Sequence, residues 1–211
     1  MIIKLTGENL DEAVRNALTV IKGGGIVAYP TETFYGLGAR YDHEPALKRL
    51  YELKQRPREK AMPLIIGSME QLFLLADSVG APARELMRAF WPGPLTILLR
   101  ARSGLSEYIV SGNKVAVRIP GESFALRLAR AADLPVTATS ANISGRPPAD
   151  SVRMVQDYFD ARVDLIIDCG KTRGTKPSTI VDASGEELKL LRDGALDISP
   201  VLKGVPPPRN S

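Results

Sequence analysis

The sequence predicts an α/β fold: a single domain with a twisted mixed sheet flanked by helices. Two observations predict it. Short apolar runs rich in β-branched residues alternate with amphipathic helical periods along the whole chain. No linker, repeat or low-complexity stretch divides the 211 residues. A chain of this length buries a substantial core without disulfide or metal staples. The domain is expected over residues 1–203, with 204–211, which carry three consecutive prolines, as a loose tail.

The elements follow in order. Residues 2–5 read as a short strand. Asn9 is placed to cap a helix over 10–22, whose stripe is Leu10, Ala13, Val14, Ala17, Leu18 and Ile21. Gly23, Gly24 and Gly25 end it; with no Walker lysine following, the run reads as a C-cap rather than a phosphate loop. Residues 26–29 form a strand ending at Pro30, and 31–38 a polar loop with two glycines. Glu44 and Pro45 open a helix to about Leu53. A strand follows at 62–66, and Ser68 with Gln71 forms a capping box for the next helix. Pro82 sits in the first turn of a helix ending near Phe90. Trp91-Pro92-Gly93-Pro94 is a rigid turn. Strands are expected at 95–99, 115–119, 136–140, 165–168, 179–181 and 188–191, with helices at 123–132 and 152–159.

Composition narrows the function. Lysines and arginines number 28 against 24 acids, a net charge of +4. That fits an anionic ligand, a weak RNA contact or an ordinary soluble protein equally, unless the charges converge. Cys169 is the only cysteine, so no internal disulfide forms. Following an apolar run, it reads as a core filler rather than a nucleophile. A single histidine, His43, excludes a histidine-built metal site. No apolar run is long enough for a membrane span, and a cytoplasmic location is expected.

Polar and cationic residues recur near strand or helix ends: Lys54, Arg56, Lys60, Arg118, Ser140, Asn142, Ser178 and Arg192. Open α/β sheets bind ligands beyond strand ends, and converging cations suit a polyanion. Taken singly, each has a plainer reading. Lys54 and Arg56 suit a helix C-terminus, and Ser140-Ala141-Asn142 suits a turn. Arg118 resists dismissal, because a charge inside Val-Ala-Val-Arg-Ile-Pro needs a partner. The residues by themselves give an anion-binding α/β domain.

The chain resembles a known family in several blocks. They are Pro30-Thr31-Glu32-Thr33-Phe34-Tyr35-Gly36-Leu37-Gly38, Lys54-Gln55-Arg56-Pro57, Phe90-Trp91-Pro92-Gly93-Pro94-Leu95-Thr96, Val115-Ala116-Val117-Arg118-Ile119-Pro120, Ser140-Ala141-Asn142-Ile143-Ser144-Gly145, Ser178-Thr179-Ile180-Val181-Asp182 and Leu191-Arg192-Asp193-Gly194. In this order they resemble the YrdC/TsaC family of threonylcarbamoyl-adenylate synthases. The resemblance implies a single α/β domain with a large basic cavity. It implies a nucleotidyltransferase that joins L-threonine, bicarbonate or CO2, and ATP into threonylcarbamoyl-AMP and pyrophosphate, for threonylcarbamoyladenosine in tRNA. By the same resemblance, Thr33, Arg118 and Ser178 bind threonine, and Lys54, Arg56, Lys60, Lys114, Ser140, Asn142 and Arg192 bind ATP. Lys54 and Arg56 are the catalytic cations. Mg2+ arrives with ATP, and no dedicated metal cage is expected. The product passes to a separate tRNA threonylcarbamoyl transferase complex.

Three departures stand beside the match. Longer members carry a second C-terminal domain, so the short single-domain form is expected. Lys176-Pro177 precedes Ser178, where many synthases have an acid; this resembles the YciO-type branch, although Ser140-Ala141-Asn142 is the synthase pattern. Ala61-Met62-Pro63 shifts the usual proline placement. The alternative is a YciO-like nucleotide- or RNA-binding protein that takes tRNA or double-stranded RNA without the full synthase activity. A carbamoyl-transfer module is the third reading, weakened by the lack of acylphosphatase-like or zinc-finger segments.

Overall fold

The strand over Val27–Pro30 (β2) sets the architecture, because both its faces are buried. Val27 and Tyr29 face a cluster with Ala13, Val14, Ala17, Phe124 and Leu128, while Ala28 faces Leu47, Leu50, Val155 and Phe159. A period-two strand with apolar residues at every position has to be covered by helices on both sides. The computed structural model describes residues 1–57, 59–174 and 176–203, so the tail expected at 204–211 lies outside the described residues.

The elements are β1 (Ile2–Lys4), α1 (Leu10–Lys22), β2, β3 (Tyr35–Gly38), α2 (Glu44–Leu53), β4 (Leu64–Ile65), α3 (Ala81–Phe90), β5 (Leu95–Arg100), β6 (Val110–Ser111), β7 (Lys114–Arg118), α4 (Phe124–Ala132), β8 (Val136–Thr137), β9 (Thr139–Ser140), α5 (Val152–Phe159), β10 (Leu165–Asp168), β11 (Thr179–Asp182), β12 (Lys189–Arg192) and α6 (Ser199–Leu202). Their strands form two mixed sheets rather than one. Among the described residues the first runs β1-β10-β2-β3-β9, and the second β12-β11-β5-β7-β4-β8 with β6 beside β7.

The expected strand 136–140 is where the two sheets meet. Val136 and Thr137 pair with β4 in the second sheet, while Thr139 and Ser140 pair with β3 in the first. Between them the Ala138 N–H leaves both ladders and donates to the Pro63 carbonyl at 2.8 Å. One continuous extended stretch, Val136-Thr137-Ala138-Thr139-Ser140, thus feeds two layers.

Several local expectations change. Residues 35–38 are a strand, not loop, since Tyr35 and Leu37 are fully buried and the ladder to β2 runs from Val27↔Gly38 to Pro30↔Tyr35. Asn9 stands at the N-cap of α1, but its side chain turns back to accept from the Thr6 N–H and donate to the Lys4 carbonyl. The helix expected after Ser68 is a 3-10 turn over Glu70–Leu74, and Gln71 accepts from the Gly67 N–H instead of closing a box on Ser68. Cys169 is exposed, because β10 ends one residue before it. Gly24 has φ +80, and a Cβ there would lie 2.6 Å from the His43 ring. That position requires glycine. No helix among the described residues is long and apolar enough to cross a membrane.

Candidate functional site

The second sheet presents one face to a cavity of about 520 Å3. Period-two alternation sorts its residues. Lys114, Ala116 and Arg118 of β7 line the cavity, as do Thr96 and Leu98 of β5, and Ser178 and Ile180 on and before β11. Arg192 at the end of β12 joins them. The intervening Val115, Val117, Ile97 and Val181 are buried in the core. The candidate site therefore lies on a sheet face, not beyond strand ends as the sequence suggested.

The opposite wall comes from the first sheet: the turn at 31–34, Gly36, Thr139 and Ser140. Thr31 pins that turn. Its hydroxyl donates to the Phe34 carbonyl at 2.8 Å and accepts from the Thr33 N–H at 3.0 Å. The Thr31 and Thr33 hydroxyls lie 2.9 Å apart. The turn is pressed from outside as well, since a Cβ on Gly174 would stand 2.0 Å from the Thr33 carbonyl oxygen.

Arg118 has the partner its apolar surroundings demanded. Its Nη1 donates to Oε1 of Glu32 at 2.9 Å, and the two side chains are 7% and 17% exposed. The other Glu32 oxygen, Oε2, is buried without a hydrogen-bond partner.

The end of α2 explains Lys54 and Arg56. The N–H groups of Gln55 and Arg56 bond back to the carbonyls of Glu52 and Tyr51, with Gln55 at φ 49. This is the Schellman ending, with glutamine where glycine is usual. Lys54 keeps the helical backbone of α2, and the turn after it sends Arg56 to the cavity. Lys54 is 1% exposed. Its Nζ donates to the carbonyls of Ser140 and Asn142 and to Oδ1 of Asn142. Burial, and after it the charge of Arg56, push its ammonium down to about 7. Against that, the three oxygen acceptors call for all three ammonium protons.

Asn142 completes this loop. Its Oδ1 accepts from the Ser140 hydroxyl at 2.6 Å, and its Nδ2 donates to the carbonyls of Ile143 and Arg146. Lys54 and Asn142, both expected to hold nucleotide, are turned into the loop and are absent from the cavity lining. They shape the Ser140 wall; Ser140 itself lines the cavity.

Arg56 donates from Nε to the Lys60 carbonyl and from Nη2 to the Ala61 carbonyl, each at 2.7 Å. Arg192 donates to the Ser178 carbonyl and hydroxyl, and that hydroxyl lies 2.9 Å from the Thr96 hydroxyl. Burial lowers the pKa of Arg192, and the charges of Arg118 and Arg56 lower it further. Arg192 thus feels both other guanidinium groups, and all three line the cavity, so the charges that the sequence left scattered converge. Lys114 donates to Asp182 at 2.6 Å. Burial pushes the Asp182 carboxyl up, but bonds from Lys114 and from the Ser184 hydroxyl and N–H outweigh it and hold the carboxyl below its usual range.

Thr33, Arg56, Lys60, Lys114, Arg118, Ser140, Ser178 and Arg192 share the one cavity. Sequence reasoning missed Glu32, Asp182, Thr96 and Thr139. Alternation from Ser178 through Ile180 to Asp182 was a signal available for one of them. Among the described residues no group of three His, Cys, Asp or Glu side chains stands where it could hold a metal ion.

A family model named Sua5_yciO_yrdC and described as telomere recombination matches residues 19–194. A threonylcarbamoyl-AMP synthase of Pyrococcus abyssi is 40% identical over 198 residues, covering 93% of this chain and 58% of that protein. The crystal structure of P. abyssi Sua5 complexed with L-threonine superposes with a TM-score of 0.88 at 38% identity, over 99% of this chain and 61% of that one. E. coli YciO superposes at 0.82 with 25% identity, over 95% and 97%. The chain spans between half and two thirds of the length of the synthases it matches. Since the matched region holds every block from which the cavity is built, the chain belongs to the Sua5/YciO/YrdC family.

Proposed function

We propose that this domain makes threonylcarbamoyl-AMP and pyrophosphate from L-threonine, bicarbonate or CO2, and ATP, toward threonylcarbamoyladenosine in tRNA. The observation that carries the reading is the gathering of Thr33, Arg118 and Ser178 with Arg56, Lys60, Lys114, Ser140 and Arg192 in one cavity, in a chain 40% identical to a synthase.

The chemistry suits these groups. The threonine amine adds to the carbon of CO2, forming an N–C bond and releasing a proton to solvent. A carbamate oxygen then attacks the α-phosphorus, and the bond to the β-phosphate oxygen breaks as pyrophosphate leaves. The nucleophile is already anionic, so the adenylation step needs alignment and charge neutralisation more than a base. Arg118, with Ser178 and Thr33, takes the amino acid. Arg56, Lys60, Lys114 and Arg192 face the phosphates, with Ser140 beside them. Lys54 and Asn142 act through the loop that carries Ser140. Magnesium enters as part of the ATP substrate, held by phosphate oxygens and water. The product would pass to a separate tRNA threonylcarbamoyl transferase complex in the cytoplasm.

Incubation with isotope-labelled bicarbonate, threonine and ATP tests this. Mass spectrometry should find label in threonylcarbamoyl-AMP. Its absence from a preparation that binds ATP would overturn the reading.

A second reading rests on Lys176-Pro177 before Ser178 and on the likeness to YciO across 97% of that chain. In it the cavity binds nucleotide, and a basic surface binds tRNA or double-stranded RNA, without the synthase step. RNA affinity that falls steeply with salt and ignores nucleotide would favour it. The cations described here converge on one cavity with Thr33 and Ser178, which favours the first.

A further inference from the structure

We propose that Glu32 is a positioning residue for the amino-acid substrate: through its ion pair it holds the Arg118 guanidinium in place for the substrate carboxylate. The proposal rests on the synthase reading and adds a residue to it.

The three cavity arginines are anchored differently. Arg56 is fixed by the backbone carbonyls of Lys60 and Ala61, and Arg192 by the backbone carbonyl of Ser178. Arg118 hydrogen-bonds to a side chain, Oε1 of Glu32 at 2.9 Å. Among the described residues it is the one of these three that pairs with a carboxylate. Among the described residues its hydrogen-bonded anchor is therefore a single replaceable side chain. Arg118 also shares its cavity with the like charges of Arg56 and Arg192. Without Glu32, Arg118 is a nearly buried cation that has lost its counter-charge, and swinging away relieves it.

Glu32 is itself held for this task. Its backbone belongs to the turn pinned by the Thr31 hydroxyl and pressed by Gly174. That turn also carries Thr33, so one rigid unit sets Thr33 directly and Arg118 through Glu32. The carboxylate makes one bond although it has room for more, and Oε2 is buried without a donor. Buried acceptors left unpaired are costly and rare. A residue kept for packing alone would be neutral there. A carboxylate at that cost points to its charge as the thing retained, and the charge it meets is Arg118.

The test compares wild type, Glu32→Ala and Glu32→Gln in steady-state pyrophosphate release, with KM measured separately for threonine and ATP and folding followed by thermal unfolding. Wild-type release dependent on threonine is the first arm, and its absence would be a failure of the synthase reading, not of this inference. Given that activity, Glu32→Ala should raise the threonine KM by about tenfold or more, leave the ATP KM within about twofold, and change kcat far less than kcat/KM. Glu32→Gln, which still accepts from Arg118, should recover part of the threonine affinity. If Glu32→Ala does not fold, Glu32→Gln alone decides, with a threonine-specific KM rise expected. Unchanged threonine KM in a folded variant, or equal rises for threonine and ATP, would overturn the proposal.

Discussion

The Lys54 ammonium donates to the Asn142 carbonyl at 2.8 Å and reaches the Asn142 side-chain oxygen at 3.4 Å, so a cation expected on phosphate is spent on holding a loop. Replacing it with methionine keeps the bulk but takes the donor from the Asn142 carbonyl in a buried setting, while Oδ1 keeps only the Ser140 hydroxyl. Lys54→Met should lose about 1–3 kcal/mol of stability and weaken ATP binding through the displaced Ser140 wall. Thermal unfolding alongside ATP titration checks both. An unchanged melting point would contradict the clamp.

Arg56 combines two tasks, since it faces the cavity and ties down the carbonyls of Lys60 and Ala61. Arg56→Ala should therefore raise the ATP KM and lower kcat together, each by about tenfold or more. Ser140→Ala removes one neutral hydroxyl, whose bond is to Asn142 at 2.6 Å, and should cost only about 1 kcal/mol in either quantity. Steady-state kinetics of the two variants, compared side by side, should rank them in that order.

Asp182 gives the pH dependence. Its folded pKa lies below the usual 3.8, so its stabilising contribution is present above that value and is lost as pH falls through the depressed one. Wild type should exceed Asp182→Asn in melting temperature near neutral pH, and the gap should close as pH drops from about 5 to about 2. A gap that persists at the acid end would assign the effect to packing rather than to the bond with Lys114.

Gly174 is the fourth point of test. Its missing Cβ would fall 2.0–2.4 Å from backbone atoms of Thr33, which no side-chain rotation relieves. Gly174→Ala should cost about 1–3 kcal/mol and displace the turn that bears Thr33. Differential scanning calorimetry, with threonine affinity as companion, measures both effects.

How far the sequence could be read follows from these same residues. Helices α1, α2, α3, α4 and α5 were legible from local signals: α1 falls where its apolar stripe put it, and α2 where Glu44 and Pro45 open it. The burial of Arg118 was legible too, since a charge in an apolar run needs a partner. The partner's identity was not, because Glu32 lies 86 positions away and only the pairing of sheets brings it near. Residues 35–38 read as loop because two glycines mask a strand that is held by neighbours on both sides, β2 and β9. The split of 136–140 between two sheets is a property of those sheets, invisible in five consecutive residues. Lys54 was assigned to ATP with its motif; it keeps the helical backbone of α2 and is buried, and the left-handed Gln55 then redirects the chain toward Arg56.

The central claim is that the cavity couples three substrates in one reaction. The direct measurement is pyrophosphate release from ATP and magnesium with threonine and bicarbonate each left out in turn. Release that requires both co-substrates is the predicted result. Release that needs neither, or none from a folded protein that binds ATP, would contradict the account.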